Sequence, residues 1–445
     1  MRKPLIVATI AIAAGGFASP WIMGSIAEDQ FSQTISLLKE SEDTYMSIAE
    51  SDFDRGYANS HARIKFAYTF PEDELPPFSV IVESKLQHTP LSSNDQGTYI
   101  FEITSEDKIL LEDIPADVKA FIDEHLGGYL LTGNSHMSLF GNGGTTLSTQ
   151  AVNFEDAMNQ TLVQIDPIVM NFEGNLTASN GTMNFSVPNS IIKTPSAEIS
   201  INETTLSSDI IAHESGYNTG SSELTVQKIN VLSQMGQIDL NNFSIEASTE
   251  ILDEKLNTIM SYNIESISAP FPFTSARYDI EFNGLSLEAM ALLDELNQQS
   301  AEFVPTALES EKFIIDIANA TLQPGLQFSQ ALNVNAFGGN WFADVDLEFT
   351  GIEGIELQQL INPELAPKAI SADIKVEIDS TAIMQTPAAP MVSPYLNQGL
   401  IKQTNEKLVS EIKLSNGKLM VNQQEFPIEP LIESLLMKMS ELPTH

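Results

Sequence analysis

The chain has 445 residues, 42% of them hydrophobic and 18% charged, which is enough apolar material for a folded body and too much for general disorder. Sixty acidic against 21 basic residues give a formal net charge of −39, and with four arginines in all the chain is not a nucleic-acid binder. The absence of cysteine removes disulfides, thiolate metal sites, cysteine nucleophiles and lipid-modified cysteine together.

From Leu5 to Met23 nineteen residues carry no charge and follow Arg2 and Lys3. About 20 apolar residues cross the ~30 Å hydrocarbon core, and a basic pair stays on the cytoplasmic side. The expectation is a membrane anchor over 1–23, contacting the bilayer through residues 5–23, with the rest of the chain outside. A cleaved secretory signal is the competing reading, because Gly16-Phe17-Ala18 places small residues before Ser19. The apolar stretch continues through Trp21, Ile22 and Met23, longer than a usual signal core, which favours retention. Ile26, Phe31, Ile35 and Leu38 then recur at helical spacing, predicting a stalk helix within 24–56.

At Tyr57 the period changes to two. Ala58, Ser60, Ala62, Ile64, Phe66, Tyr68 and Phe70 share one face of a long strand, closed by Pro71, Pro76 and Pro77. Tyr99, Phe101 and Ile103 mark a second alternating run, and Gly141-Asn142-Gly143-Gly144, with no helix or basic residue after it, reads as a flexible loop. Between Phe172 and Val187 the alternation turns back at Ser179-Asn180-Gly181, predicting a hairpin. Strand patterns at Ile199–Ile201, Leu224–Val226 and Tyr278–Phe282 make 57–300 an antiparallel β-rich region. In 301–445 the pattern is mixed: Trp341–Phe349 and Lys375–Ile378 alternate, while Leu287, Met290, Leu293 and Leu296 before them, and Ile428, Leu431, Ile432, Leu435 and Met439 at the end, have helical spacing. The predicted class is α+β and β-dominated: an N-terminal transmembrane helix, then an elongated antiparallel sheet body with flanking helices.

Catalytic patterns are thin. His61, His88, His125, His136, His213 and His445 are scattered, without a zinc-binding pair, and nothing calls for a metal or a cofactor. Ser36-Leu37-Leu38-Lys39 and Ser410-Glu411-Ile412-Lys413 match Ser-x-x-Lys, but the companion elements of the acylating enzymes are missing. Asp344, Asp346 and Glu348 lie on one strand face at a spacing of roughly 6–7 Å, too wide for one cation and suited to a solvent-facing strand.

Three stretches carry a resemblance. Asp54-Arg55-Gly56-Tyr57-Ala58-Asn59-Ser60-His61-Ala62 enters a long strand with Arg-Gly…Ser. Leu86-Gln87-His88-Thr89-Pro90-Leu91 is similar to a His-Gly-Pro segment, with Thr89 where glycine stands. Gln398-Gly399-Leu400 and then Ser415-Asn416-Gly417-Lys418-Leu419-Met420-Val421-Asn422 are similar to a closing hairpin, with Gln423 where a final glycine is common. Together they resemble the YdgA-like family of bacterial envelope proteins, a family of unknown function. The resemblance implies a bacterial inner-membrane, single-pass protein with its C-terminal body in the periplasm, and it implies no catalytic residue. The family-like positions Arg55, Gly56, Ser60, His88, Pro90, Gly417 and Asn422 read locally as turn, bulge and strand residues.

The functional expectation is a non-enzymatic scaffold or interaction protein in envelope maintenance, partnered by an envelope protein or a lipid. One alternative is a carrier holding a lipid or another hydrophobic ligand in a sheet groove, motivated by the apolar stripe of Ile64, Phe66, Tyr68 and Phe70. Another is a carboxylate-based enzyme, which needs no local motif.

Overall fold

The structure is a computed structural model that describes residues 3–40, 46–69, 76–95, 97–138, 141–156, 158–175, 180–234, 236–270, 272–292, 316–355, 359–360, 362 and 364–428. The chain divides into two compact units, Met1–Ala212 and His213–His445.

The first unit opens with one helix, α1 (Lys3–Glu40), which continues through Pro20. Strands β1 (Met46–Arg55), β2 (Asn59–Tyr68) and β3 (Phe78–Gln87) follow, then the short hairpin β4 (Leu91–Asn94) and β5 (Gly97–Ile100), and β6 (Glu102–Glu112). After α2 (Ala116–His125) come β7 (Leu131–Ser138), β8 (Asn142–Ser148), β9 (Val152–Asp156), β10 (Thr161–Ile165), β11 (Val169–Asn175), β12 (Asn180–Lys193) and β13 (Ala197–Ala212). The pairing is antiparallel, running β1, β2, β3, β6, β7, β8, β11, β12, β13. Pro188 lies inside β12, where a central strand should not tolerate it, because its nitrogen donates nothing. It sits where β12 changes neighbours: β11 pairs with it as far as Ser186 and β10 from Ser190 on. The β12–β13 register runs on unshifted past Pro188, and the residue opposite it, Glu203, has φ 48°.

The second unit is also an antiparallel meander. Its strands are β14 (Asn218–Ser233), β15 (Gly236–Leu252), β16 (Lys255–Ser268), β17 (Phe273–Ser286), β18 (Leu326–Ala336), β19 (Gly339–Phe349) and β20 (Ile370–Asp379). Two short helices, α3 (Ser380–Ile383) and α4 (Ala389–Asn397), precede β21 (Lys402–Thr404), β22 (Lys407–Ser415), β23 (Lys418–Val421) and β24 (Gln424–Phe426). Consecutive strands pair from β14 to β20, and β22 joins β20.

Buried apolar clusters form where a helical segment covers the sheet. In the first unit Met23 and Ala27 of α1 pack with Ile103, Phe53 and Leu86. In the second, Leu285, Ala289, Ala320 and Leu326 form one cluster, and Ile383, Val392 and Leu408 form another against Trp341 and Ile378. The long strands are otherwise solvated: Ser208 is the one buried residue of β12 and β13, and Val226 the one buried residue of β14, β15 and β16.

The expected transmembrane helix is corrected, and with it the single-pass inner-membrane location and the periplasmic placement that rested on it. Among the described residues no helix is long and apolar enough to cross a membrane. The physical reason lies at the end of the apolar stretch, where Pro20 and Met23 are buried against the sheet. Residues 5–19, fifteen in number, would rise about 22 Å, short of the ~30 Å hydrocarbon core.

Other expectations change in detail. Residues 46–55 form a strand that the acidic sequence hides. The run Tyr99, Phe101, Ile103 is broken, since Phe101 has φ 56° and separates β5 from β6. Gly143 and Gly144 are strand residues, not a loop. Asn180 and Gly181 pair with Asn175 and Gly174, so they open β12 and the connection is 176–179, which lies outside the described residues. Leu287 and Met290 are in a helical stretch over 287–292, while Leu293, Leu296 and the C-terminal helix beyond 428 fall outside the described residues.

Asp344 shows what the acidic composition does to one strand. Asp346 on β19 faces Asp373 on β20 directly, a like-charge pair. Burial raises the Asp344 carboxyl above its ordinary range, with the charges of Asp346 and Asp373 adding to it and Lys375 opposing. A raised carboxylate contributes stability below its unfolded pKa that is lost as pH rises through its folded one. Asp344→Asn should therefore be more stable than the parent at pH 7 in urea unfolding, with the difference vanishing as pH falls toward the ordinary aspartate range.

Candidate functional site

The antiparallel β2–β3 ladder places Ser60 opposite Leu86 and brings the residue after β3, His88, back beside the start of β2. The His88 amide donates to the Ala58 carbonyl at 2.9 Å, extending the ladder past its formal end. The imidazole then points at α1. Its Nδ1 lies 2.9 Å from the Pro20 carbonyl oxygen and its Nε2 lies 2.9 Å from Ser60 Oγ. A carbonyl only accepts, so Nδ1 carries the proton and Nε2 accepts from the Ser60 hydroxyl. His88 is 0% and Ser60 1% exposed.

α1 is shaped to receive the ring. Pro20 and Gly24 lie one turn apart on the same helix face. A Cβ on Gly24 would stand 2.7 Å from His88 Cε1, so only glycine admits the imidazole there. One turn further, Glu28 Oε2 takes a hydrogen bond from Arg55 Nη1 at 2.7 Å, and the Arg55 guanidinium lies 5.6 Å from the Trp21 ring centre. Gly56 permits the turn that aims Arg55: its amide donates to the Asn59 carbonyl at 3.0 Å, and a Cβ would come 2.3 Å from that oxygen. The Pro90 carbonyl accepts from Phe101 N at 3.0 Å, closing the base of the β4–β5 hairpin.

Arg55, Gly56, Ser60 and His88 thus act together to fasten α1 onto the sheet. A serine hydroxyl donating to an oriented imidazole is also the start of a nucleophile pair. Here both groups are sealed from solvent, and their hydrogen-bonding capacity is used in the latch.

Gly417 and Asn422 belong to the second unit. Asn416 and Gly417, with φ 51° and 75°, form the two-residue turn joining β22 and β23, as the Asn-Gly pair predicts. Asn422 is 3% exposed. Its Oδ1 accepts from Glu411 N at 3.0 Å, its Nδ2 donates to the Gly399 carbonyl at 2.9 Å, and its own carbonyl accepts from Lys402 Nζ at 2.6 Å. The separated stretches Gln398–Leu400 and Ser415–Asn422 are therefore tied through one side chain. The Ser-x-x-Lys match at Ser410 and Lys413 is not a pair, because residues three apart on β22 face opposite sides; Ser410 Oγ donates to Leu400 O and Lys413 binds Asp373.

Beside the latch, α1 and the sheet leave an apolar groove of about 480 Å³, lined by Phe31, Phe53, Ala62, Ile64, Val82 and Leu86 among others. Gln30 also lines it, and its Oε1 is shielded from solvent with no hydrogen-bond partner. Of the predicted apolar stripe, Ile64 faces the groove, Tyr68 stacks on Phe78 with ring centres 5.2 Å apart, and Phe70 is outside the described residues. Sequence reasoning missed Pro20, Gly24, Glu28 and Gln30. The signal available was the fourfold spacing Pro20, Gly24, Glu28, which on a helix is one face.

Two outcomes follow from these geometries. His88→Ala leaves a cavity and an unpaired Ser60 hydroxyl and should cost about 2–4 kcal/mol, while Ser60→Ala costs about 1–2 kcal/mol. The double variant should fall short of their sum, since both remove one network, and urea midpoints on the full chain measure this. Gln423 has φ 69°, where a side chain is strained, so Gln423→Gly should raise stability by up to about 1 kcal/mol in the same assay.

A family profile described as a bacterial protein of unknown function (DUF945) matches residues 1–429, and the chain belongs to that family. The match carries no YdgA-like name and no activity. No curated protein and no solved structure matches the chain.

Proposed function

We propose that this member of a bacterial family of unknown function is a non-catalytic binding protein, taking the apolar chain of an amphiphile into the groove between α1 and the first strands. The groove carries the reading. Its 480 Å³ lies in the range of small-molecule sites, and its lining is mainly apolar, with Gln30, Gln33, Thr34, Ser84 and Ser105 as the polar members. Gln30 Oε1 wants a donor, which a hydroxyl or amide near the head of the ligand would supply. A net charge of −39 disfavours an anionic head, so a neutral one carrying hydroxyls fits best. The latch supports the same reading, since the groove exists only while α1 is held to the sheet.

A scaffold or interaction role draws on a separate observation. Ile192, Ile199 and Ile211 in the first unit, and Leu232, Leu252 and Ile259 in the second, are exposed along the long strands. Such apolar side chains are available to a partner.

Native mass spectrometry of gently purified full chain should find a bound neutral amphiphile, and added monoolein should displace a fluorescent fatty-chain probe. Ala62→Phe fills the groove and should weaken monoolein binding about tenfold, the order expected when several buried methylenes lose their site. Absence of any bound amphiphile, together with monoolein binding that is unaltered by Ala62→Phe, removes the carrier reading and leaves the interaction one.

A further inference from the structure

The glycines of β8 open a second recess in the first unit, on the face of β6 and β7 opposite the one that carries Ile103 and Met137 toward α1. His136 on β7 pairs with Gly144 on β8, and Gly144 pairs with Glu173 on β11, so these three share one face of the sheet. Two residues along, on the same face, stand Glu102 beside Ser138 and the row Asn142, Asn175, Asn180. Gly144 is the gap in this surface. A Cβ there would lie 2.9 Å from His136 Cε1 and 3.3 Å from Glu173 Cγ. The result is an open recess of about 690 Å³ whose lining includes Glu102, His136, Asn142, Glu173 and Asn180.

The β4–β5 hairpin backs this recess. Tyr99 stacks on the His136 ring, with centres 4.6 Å apart and planes at 17°. Ser92 Oγ donates to the Glu102 carbonyl at 2.7 Å and Asn94 Nδ2 to the Ser135 carbonyl at 3.2 Å, so the hairpin is fixed in place. Two polar atoms here, Glu102 Oε2 and His136 Nδ1, are shielded from solvent and have no hydrogen-bond partner. Buried polar groups are rarely left so, and each marks a place where a partner fits. The local field is negative: the Tyr99 phenol is pushed up by burial and then by the charges of Glu102 and Glu173. No lysine or arginine is among the residues lining the cavity. Among the described residues no group of three His, Cys, Asp or Glu is disposed to hold a metal ion. What the recess lacks is therefore N–H donors carrying positive charge.

We propose that this recess binds an organic cation, an alkylammonium or guanidinium group seated over Gly144 between Glu102 and Glu173, donating one N–H to Glu102 Oε2 and another to His136 Nδ1. The imidazole then carries its own proton on Nε2. Charge-assisted hydrogen bonds of this type are the stronger ones, and a glycine floor lets the ligand approach the backbone.

Spermidine is the probe, titrated into the full chain at physiological ionic strength, with calorimetry and the imidazole nitrogen resonances of His136 as readouts. Because a chain this acidic attracts any polycation, the expected result is specific: one saturable site that shifts the His136 resonances. Glu102→Gln and Glu173→Gln should each weaken it about tenfold, as loss of one charged hydrogen bond does. Glu124→Gln, an exposed acid on α2, should leave it unchanged. If Glu102→Gln does not fold, Glu173→Gln, at an exposed strand position, decides alone. The proposal is overturned if spermidine leaves His136 unmoved, if the cavity variants bind like the parent, or if neutral tetraethylene glycol of similar length binds as tightly.

Discussion

The hydrogen bond from His88 to the Pro20 carbonyl joins residues 68 positions apart, and the placement of α1 on the first strands rests on it. A proline within a helix already removes one backbone donor and loosens the turn around it. The Pro20 carbonyl also accepts from the imidazole, Gly24 makes room for the ring, and Ser60 completes it. Once the helix is pinned at this point, the same face carries Met23 and Ala27 into the core and Glu28 to Arg55. The groove lined by Phe31, Phe53 and Ile64 is what remains where helix and sheet do not quite meet.

Both units have few fully buried side chains for their size. Long antiparallel strands satisfy their own backbone hydrogen bonds, so they persist without a thick core, provided that each has a neighbour on both sides. Helical segments cover the sheet locally, and the buried clusters lie there. Elsewhere apolar residues such as Ile199 and Leu252 remain partly in water.

The strong negative charge acts differently in different places. On the exposed strands it is solvated and balanced locally by pairs such as Lys413 with Asp373 and Lys407 with Glu377. Around Gly144 it is concentrated, because Glu102 and Glu173 flank a cavity that no basic residue lines. Near α1 the groove is apolar, and the charge bears only on the kind of head group that can approach.

Several features were legible in the residues themselves. Alternation from Ala58 to Tyr68 marked β2, Trp341 to Phe349 marked β19, and Asn416-Gly417 named its own turn. The helical spacing through Phe31 and Ile35 was equally plain. Those signals are local, set by backbone sterics and by periods of 2 and 3.6 residues. The same locality misled where one signal had two uses. The apolar run ending at Met23 has membrane composition, yet Pro20 and Met23 in its last turn are buried against protein, and Gly143-Gly144 has loop composition, yet it is held in strand by neighbours on both sides. His88 could be singled out but not given a role, since its partners Pro20 and Ser60 are 68 and 28 positions away. Composition and periodicity determined a β-dominated, acidic, cysteine-free chain. Which side chains meet, and hence the latch, the groove and the glycine-floored recess, was decided by strand register and by the docking of one helix, because contacts between distant segments leave no periodic trace in either.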